Sequence, residues 1–383
     1  MHDAVVVGGG PAGTVTAGLL AKDHDVVVLE EHASSGLPMQ CAGLVTREAA
    51  GMCGVDPDIL STISGADVIF PGGGRFEVRA KGIKAVLIDR TDLDRKLAEK
   101  AADSGADIRY CVRYSGHRAA KDHLSISTDK GELRSKLIIG ADGHSSKVAM
   151  SLGNNLPREY VYGIEADVKH RPEHDDIMTL RIGSASAPGF FSWEIPFGGM
   201  VRVGLCISGG TGGSPNDHLK RLLRVSGIDP ADIVSKYAGK IPLGGRPRSY
   251  GDRTLLIGDA AGQVKPVSGG GLYPIFKAAP ILERTVRECL RADEITPKRL
   301  SAYEKGWKKE FGKELSRGYR IRKMFTSLSD KDLDKVFGII DRDDMRAVLD
   351  EIDLDNPSSI AYPMLRNPQV GLRFLPVMLR ALI

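Results

Sequence analysis

The chain has 383 residues, 42% hydrophobic and 27% charged, with a formal net charge of +4. These proportions suit a globular protein with a large core and exclude a disordered or fibrous one. So modest a charge, with no RNA- or DNA-binding motif, argues against nucleic-acid recognition. The cysteines Cys41, Cys53, Cys111, Cys206 and Cys289 are odd in number and widely spaced. That argues against a disulfide framework, for a reducing compartment, and against a zinc site; no metal is expected.

The valine-rich run Ala4 to Val7 predicts a buried parallel strand. A strand starting there leaves no room for a signal peptide. No apolar run reaches the roughly 18 residues of a membrane span. Gly8, Gly10 and Gly13 follow in a G-x-G-x-x-G pattern, with Ala12 inside it. Such glycines allow a tight turn, close approach to a pyrophosphate and close packing of the next helix. That helix is expected from Pro11 to about Lys22, with proline in the first turn, and its N-terminus favours an anion. Val26 to Leu29 predicts the next strand. It ends at Glu30, where an acid can accept from ribose hydroxyls; Glu31 is its competitor for that role.

Pro38-Met39-Gln40-Cys41-Ala42-Gly43-Leu44 then forms a loop placed to approach a cofactor ring. Pro71 and the glycines at 72–74 read as a turn. Arg90 follows the strand-like Ala85–Ile88 and opens a helix; it either reaches the cofactor or stays solvated. Leu137–Gly140 is a strand leading into Ala141-Asp142-Gly143, which is a cofactor-side turn or a plain strand end. Val161–Val168, Ile177–Ile182, Phe190–Ile195 and Met200–Ile207 carry β-branched and aromatic residues between turn residues, the pattern of an antiparallel sheet. Thr254–Ile257 is a buried strand ending at Gly258-Asp259. Asp259 is placed to accept from a ribityl hydroxyl. Gly271 and Leu272 begin a helix whose N–H groups can stabilise a reduced flavin ring. Further on, Tyr303, Trp307, Phe311, Leu315 and Tyr319 recur every four residues. Residues 305–323 hold eight Lys or Arg and two Glu. Such a helix either lies on an anionic membrane or packs its stripe on the body. The tail from Leu372 to Ile383 is apolar with interspersed arginines, which also suits a lipid interface.

Three signatures in this order, GGGPAG, ADG and GDAAGxxxPxxGGGL, together with Arg90-x-x-Leu-Asp94, resemble the FAD-dependent class of aromatic hydroxylases, halogenases and geranylgeranyl reductases. The Cys41 loop and Phe191-Ser192-Trp193-Glu194-Ile195-Pro196 narrow the likeness to the archaeal geranylgeranyl reductases. Phe191 and Ile195 stand where that family usually has aromatic residues, the first of them tyrosine. The resemblance implies an α/β fold: a Rossmann-like FAD-binding domain with an inserted antiparallel β-sheet substrate domain and a helical C-terminal region. The expected boundaries are 1–65, 83–150 and 250–290 for the FAD-binding domain, 155–247 for the sheet, and 295–383 for the helices.

The same resemblance implies FAD as cofactor and a digeranylgeranylglycerophospholipid as substrate, its alkenes saturated by hydride transfer from reduced flavin. Gly8, Gly10, Ala12, Gly13, Glu30, Cys41, Ala42, Gly43, Arg90, Asp259, Gly271 and Leu272 are the expected cofactor contacts. Phe191, Trp193 and Pro196 are the expected prenyl slot. Cys41 or a water is the expected proton donor, and Cys41 is equally readable as a small buried hydrophobe. No second dinucleotide loop is visible, so NAD(P)H would bind transiently or a ferredoxin would supply electrons. The expected location is cytoplasmic, with peripheral contact at the inner face of the membrane. An aromatic monooxygenase or halogenase, and a prenyl-binding escort without redox chemistry, are the alternatives.

Overall fold

The computed structural model describes residues 1–153 and 155–342. A largely parallel sheet forms the first layer. Its strands run in the order Tyr250–Gly251, Thr254–Leu256, Gly131–Gly140, His2–Val7, Val26–Leu29 and Asp107–Arg109. His2–Val7 lies at the centre and pairs in parallel with both neighbours. That position explains its unbroken valines: a strand covered on both faces has no polar side. The helices Pro11–Leu20, Arg90–Asp103 and Leu272–Arg291 cover one face. In the second of these, Leu93, Leu97, Ala98 and Ala101 make a helical-period apolar stripe. Asp89 caps it by accepting from the Thr91 and Asp92 amides. The opposite face is covered by the hairpin of Tyr114–Ala119 and Leu124–Thr128 and by Val148 and Ala149.

A second sheet of seven strands stands against the first. Its order is Ile233–Leu243, Glu159–Val168, Met200–Ser208, Phe191–Phe197, Ile177–Ile182, Gly65–Ile69 and Arg75–Arg79. It is antiparallel except where Ile177–Ile182 meets Gly65–Ile69. The last two strands come from a stretch that the sequence reading left outside both domains. The helix Pro215–Val225, opened by a Ser214–Asp217 capping box, seals one face of this sheet over Ile164, Ala166, Val203 and Leu205. The other face meets the loops of the first layer. A small third sheet, Leu44–Thr46, Ala85–Ile88 and Ile59–Ile63, joins the two.

The C-terminal helices decide between the two readings of the aromatic stripe. Tyr303 is 0% exposed, and Trp307 and Phe311 7% each, all inside the main core. Tyr303 accepts from Gln263 Nε2 at 2.9 Å, and Trp307 Nε1 donates to Ser249 at 2.9 Å. The aromatic stripe from Tyr303 to Phe311 therefore faces the body. The backbone explains how a four-residue repeat stays inward. Four residues overshoot a turn of roughly 3.6, and the π-helical segment Lys308–Gly312 takes up the excess with its wider turn. The tail from Leu372 to Ile383 lies outside the described residues, as does the expected helical region beyond 342. Among the described residues, no helix is long and apolar enough to cross a membrane.

Candidate functional site

The three glycine signatures, spread across the chain, touch one another. Gly8 has φ of +107° and donates to the Leu29 carbonyl at 2.8 Å. A Cβ on Gly8 would collide with the carbonyl of Ala141 in the second signature. A Cβ on Gly258, in the third, would come within 2.9 Å of Ala12. Gly13 packs against the Gly8 carbonyl. Gly10 differs: a Cβ there would meet nothing within 4 Å, so that side of the loop is open. It is also the N-cap of Pro11–Leu20, with no side chain capping the first-turn amides. The loop is thus tight where it meets protein and open where it would meet a pyrophosphate.

Glu30, not Glu31, stands at this loop. Its Oε2 accepts from the Gly9 amide at 2.7 Å, and its Oε1 from the His32 amide at 2.8 Å. Glu30 therefore also braces the loop. Glu31 is exposed and paired with Arg113 at 3.0 Å. Asp142 turns inward, accepting from Ser146 Oγ and the Val148 amide. Its carboxylate serves the short helix after the strand, while the neighbouring Ala141 carbonyl supports Gly8.

At the other end, the N-terminus of Leu272–Arg291 is capped by Gly271 without a side-chain hydrogen bond. A Cβ on Gly271 would lie 3.2 Å from Asp259 Oδ1. Leu272 packs into the core, so only its backbone faces the site. Asp259 keeps some solvent contact but is otherwise surrounded by protein. Burial pushes its carboxyl up to about 6, against the pull of Arg90 and Arg246. A carboxylate held in this way, beside an uncapped helix start, suits a ligand rich in hydroxyls.

The Cys41 loop is clamped between the two layers. Gly43, with φ of +79°, lies so close to the end of Ala85–Ile88 that a Cβ would collide with the Ile88 carbonyl. Its own carbonyl accepts from the Ile88 amide at 3.0 Å. The Ala42 carbonyl accepts from Arg202 Nη1 at 2.6 Å. Arg202 in turn is held by Asp167, Nε to Oδ1 at 2.7 Å, and Tyr237 donates to the same carboxylate. The Gln40 carbonyl rests on Gly239, where a Cβ would come within 2.8 Å. Arg90 is not solvated. It is nearly buried, paired with Asp94 at 3.0 Å, and within electrostatic reach of Cys41, Asp259 and Glu165.

On the sheet face under this loop, Phe191 and Trp193 meet edge to face at 5.9 Å, and Phe190 stacks on Phe191 at 4.5 Å. They pack with Val161, Cys206, Leu243 and Val264. Trp193 also packs, as do Ala42 and Leu44, against the cluster that holds Leu87, Met178 and Ile195. Pro196 is not with them. Side chains alternate along a strand, so Pro196 stands on the opposite face from Phe191 and Trp193. The three residues expected to line one slot therefore do not share a face: Phe191 and Trp193 do, and Pro196 does not.

Four residues of this arrangement went unpredicted: Glu165, Asp167, Arg202 and Gly204. A signal was present. Glu165 and Asp167 lie two apart in the buried second half of their strand, so both point to one face. Gly204 sits between Glu165 on one neighbouring strand and Trp193 on the other.

The comparisons fit this geometry. A family model described as an FAD binding domain matches residues 1–273. The digeranylgeranylglycerophospholipid reductase 2 of Methanopyrus kandleri is 30% identical over 90% of this chain and 91% of its own. An uncharacterised protein of Methanocaldococcus jannaschii is 30% identical over 97% of both chains. Among solved structures, a geranylgeranyl bacteriochlorophyll reductase-like protein of Thermoplasma acidophilum superposes with a TM-score of 0.85 at 21% identity, covering 98% of this chain and 99% of that one. A halogenase in complex with phloroglucinol and FAD gives 0.69 at 14% identity, over 88% and 79%. At such identities these two structures speak for the fold. FAD is the cofactor. The open Gly10 side, the two uncapped helix starts and the Asp259 carboxylate provide an anion-binding end and a hydroxyl-binding end of the kind it requires.

Proposed function

The chain belongs to the archaeal geranylgeranyl reductase family of FAD-dependent oxidoreductases, and from that membership we propose that it saturates the geranylgeranyl chains of archaeal ether phospholipids. The observation that carries this reading is the Cys41 loop, clamped between the converged glycine signatures and a sheet face bearing Phe191 and Trp193. An apolar wall beside a cofactor site suits a prenyl chain.

Gly8, Gly10, Ala12, Gly13 and Glu30 would hold the dinucleotide end of FAD, with Asp259 and the Gly271 and Leu272 backbone at the flavin end. Cys41, Ala42 and Gly43 would lie along the ring, fixed by Arg90 and Arg202. Bound and reduced, FAD supplies the hydride for saturation. The protein's task is to hold an alkene that no carbonyl polarises against that site, with water excluded. Phe191 and Trp193 would wall the slot, and Pro196 would stiffen their strand from behind. A proton must also arrive at the second alkene carbon.

In this reading electrons come from NAD(P)H bound transiently or from a ferredoxin. The basic face of residues 305–323 stays available for an acidic protein or an anionic membrane, so the protein works in the cytoplasm or at the inner face of the membrane. Anaerobic addition of digeranylgeranylglycerophospholipid to the chemically reduced holoenzyme tests the proposal. The oxidised flavin absorbance should return with the lipid and not without it. Flavin that stays reduced with lipid but turns over with oxygen and an aromatic compound would replace the reductase reading with a monooxygenase.

A further inference from the structure

We propose that Glu165, on the sheet face that meets the Cys41 loop and under the Trp193 indole, is the catalytic acid that delivers the proton to the alkene. The inference rests on the reductase reading above and assigns a step that reading leaves open.

Glu165 and Trp193 lie on strands either side of Gly204 and reach across it. A Cβ on Gly204 would come within 2.6 Å of both Glu165 Cβ and Trp193 Cε2, so the glycine makes the notch that brings them together. Glu165 is 5% exposed. Its Oε2 is buried and makes no hydrogen bond of full geometry, and neither does the neighbouring Trp193 Nε1. Buried polar groups are normally satisfied, so a carboxyl and an indole N–H that face each other without full hydrogen-bond geometry call for a reason.

The surroundings keep Glu165 an acid. Burial dominates and pushes its carboxyl up to about 7. Arg202 pulls it down, but that guanidinium is already committed to Asp167 and the Ala42 carbonyl. The nearby Asp167 pushes it up; the indole N–H and the more remote Arg90 pull it down. Tyr237, opposite Glu165 across the strand pair, directs its hydroxyl to Asp167. Cys206 is a poor rival donor, because burial drives its thiol far above the ordinary range. The Cys41 thiol lies within electrostatic reach of the Arg90 guanidinium. A general acid works best with its pKa near the working pH, which is where Glu165 stands.

In the step, the Glu165 O–H bond breaks and its proton forms a C–H bond with the π electrons of the alkene. The other alkene carbon takes the hydride furnished by the two-electron reductant, reduced flavin. Glu165 is left as carboxylate and regains its proton from solvent.

The test compares wild-type and Glu165→Gln holoenzymes, with infrared titration of the flavin-free proteins alongside. Glu165→Gln should load FAD with an unchanged spectrum and saturate lipid roughly 10²- to 10⁴-fold more slowly. Wild-type rate should fall as pH rises through about 7. That limb should vanish in the variant, and Glu165→Asp should recover part of the rate. A protonated-carboxyl infrared band that is lost near the same pH, and is absent from Glu165→Gln, would support the assignment without any turnover. A variant with wild-type rate and pH profile overturns it, as does a wild type whose carboxyl bands all vanish in the ordinary glutamate range. Should Glu165→Gln fail to fold, Glu165→Asp and the wild-type titration decide. A wild type that folds, loads FAD and saturates no lipid sinks the reductase reading itself, a result distinct from an active wild type matched by its variant.

Discussion

Replacing Glu165 with glutamine should stabilise the flavin-free protein at alkaline pH while impairing the enzyme. Burial raises this carboxyl from 4.5 to about 7 in the folded state. The folded chain therefore holds a proton that the unfolded chain has lost between those two values. With more protons on the folded state, stability falls as pH rises through the window and levels off above it. The gap between 4.5 and about 7, at about 1.36 kcal/mol per pH unit, sets a ceiling of about 3 kcal/mol. Glutamine has no such charge to desolvate and keeps the shape. Urea denaturation of both apoproteins across pH 4 to pH 8 measures the difference. Glu165→Gln should match wild type, apart from a constant offset, below about pH 4.5 and gain about 1–3 kcal/mol on it by pH 8. A difference that stays constant with pH, or one in which wild type gains as pH rises, would refute the reasoning. The expected outcome is a trade of stability for chemistry, as in other sites that retain an awkward buried group.

Other expectations concern the flavin and the slot. Asp259→Ala should weaken FAD retention roughly 10- to 150-fold, the loss of a charged hydrogen bond of about 1.5–3 kcal/mol. Wild-type affinity, but not that of the variant, should decline as pH falls through about 6; equilibrium dialysis reads both. Gly8→Ala places a Cβ against the Ala141 carbonyl at a φ of +107°, so it should purify colourless or fail to fold. A full flavin-to-protein ratio would contradict the packing described. Trp193→Phe should keep the flavin spectrum and lower lipid turnover several-fold; unchanged turnover removes the indole from the slot.

The flavin address was legible because it is local. Gly13 and Gly271 are required by close approaches within their own signatures, to Gly8 and Asp259, whereas Gly8 and Gly258 answer to Ala141 and Ala12 of other signatures and are read from the local motif all the same. Strand, loop, helix and acid then follow in register. Glu165, Arg202 and Gly204 were not legible in that way. Their roles depend on which strand lies beside which, and Gly204 gains its meaning only between Glu165 and Trp193. Pro196 could have been separated from Phe191 and Trp193 by strand alternation alone, since its position differs in parity from theirs. The Tyr303–Phe311 stripe shows the reverse limit. A basic helix with an aromatic face reads the same whether that face meets lipid or core. Remote partners decide it: Ser249 for Trp307 and Gln263 for Tyr303.

The most direct test of the central claim is the mass of the lipid itself. Digeranylgeranylglycerophospholipid, incubated anaerobically with chemically reduced holoenzyme in deuterated water, should gain mass in steps of one saturated bond. Each step should add two deuterium atoms, because the hydrogen that reduced flavin transfers exchanges with the solvent, as does the proton. Lipid of unchanged mass, recovered beside an enzyme that is folded, flavin-loaded and reduced, would contradict the account.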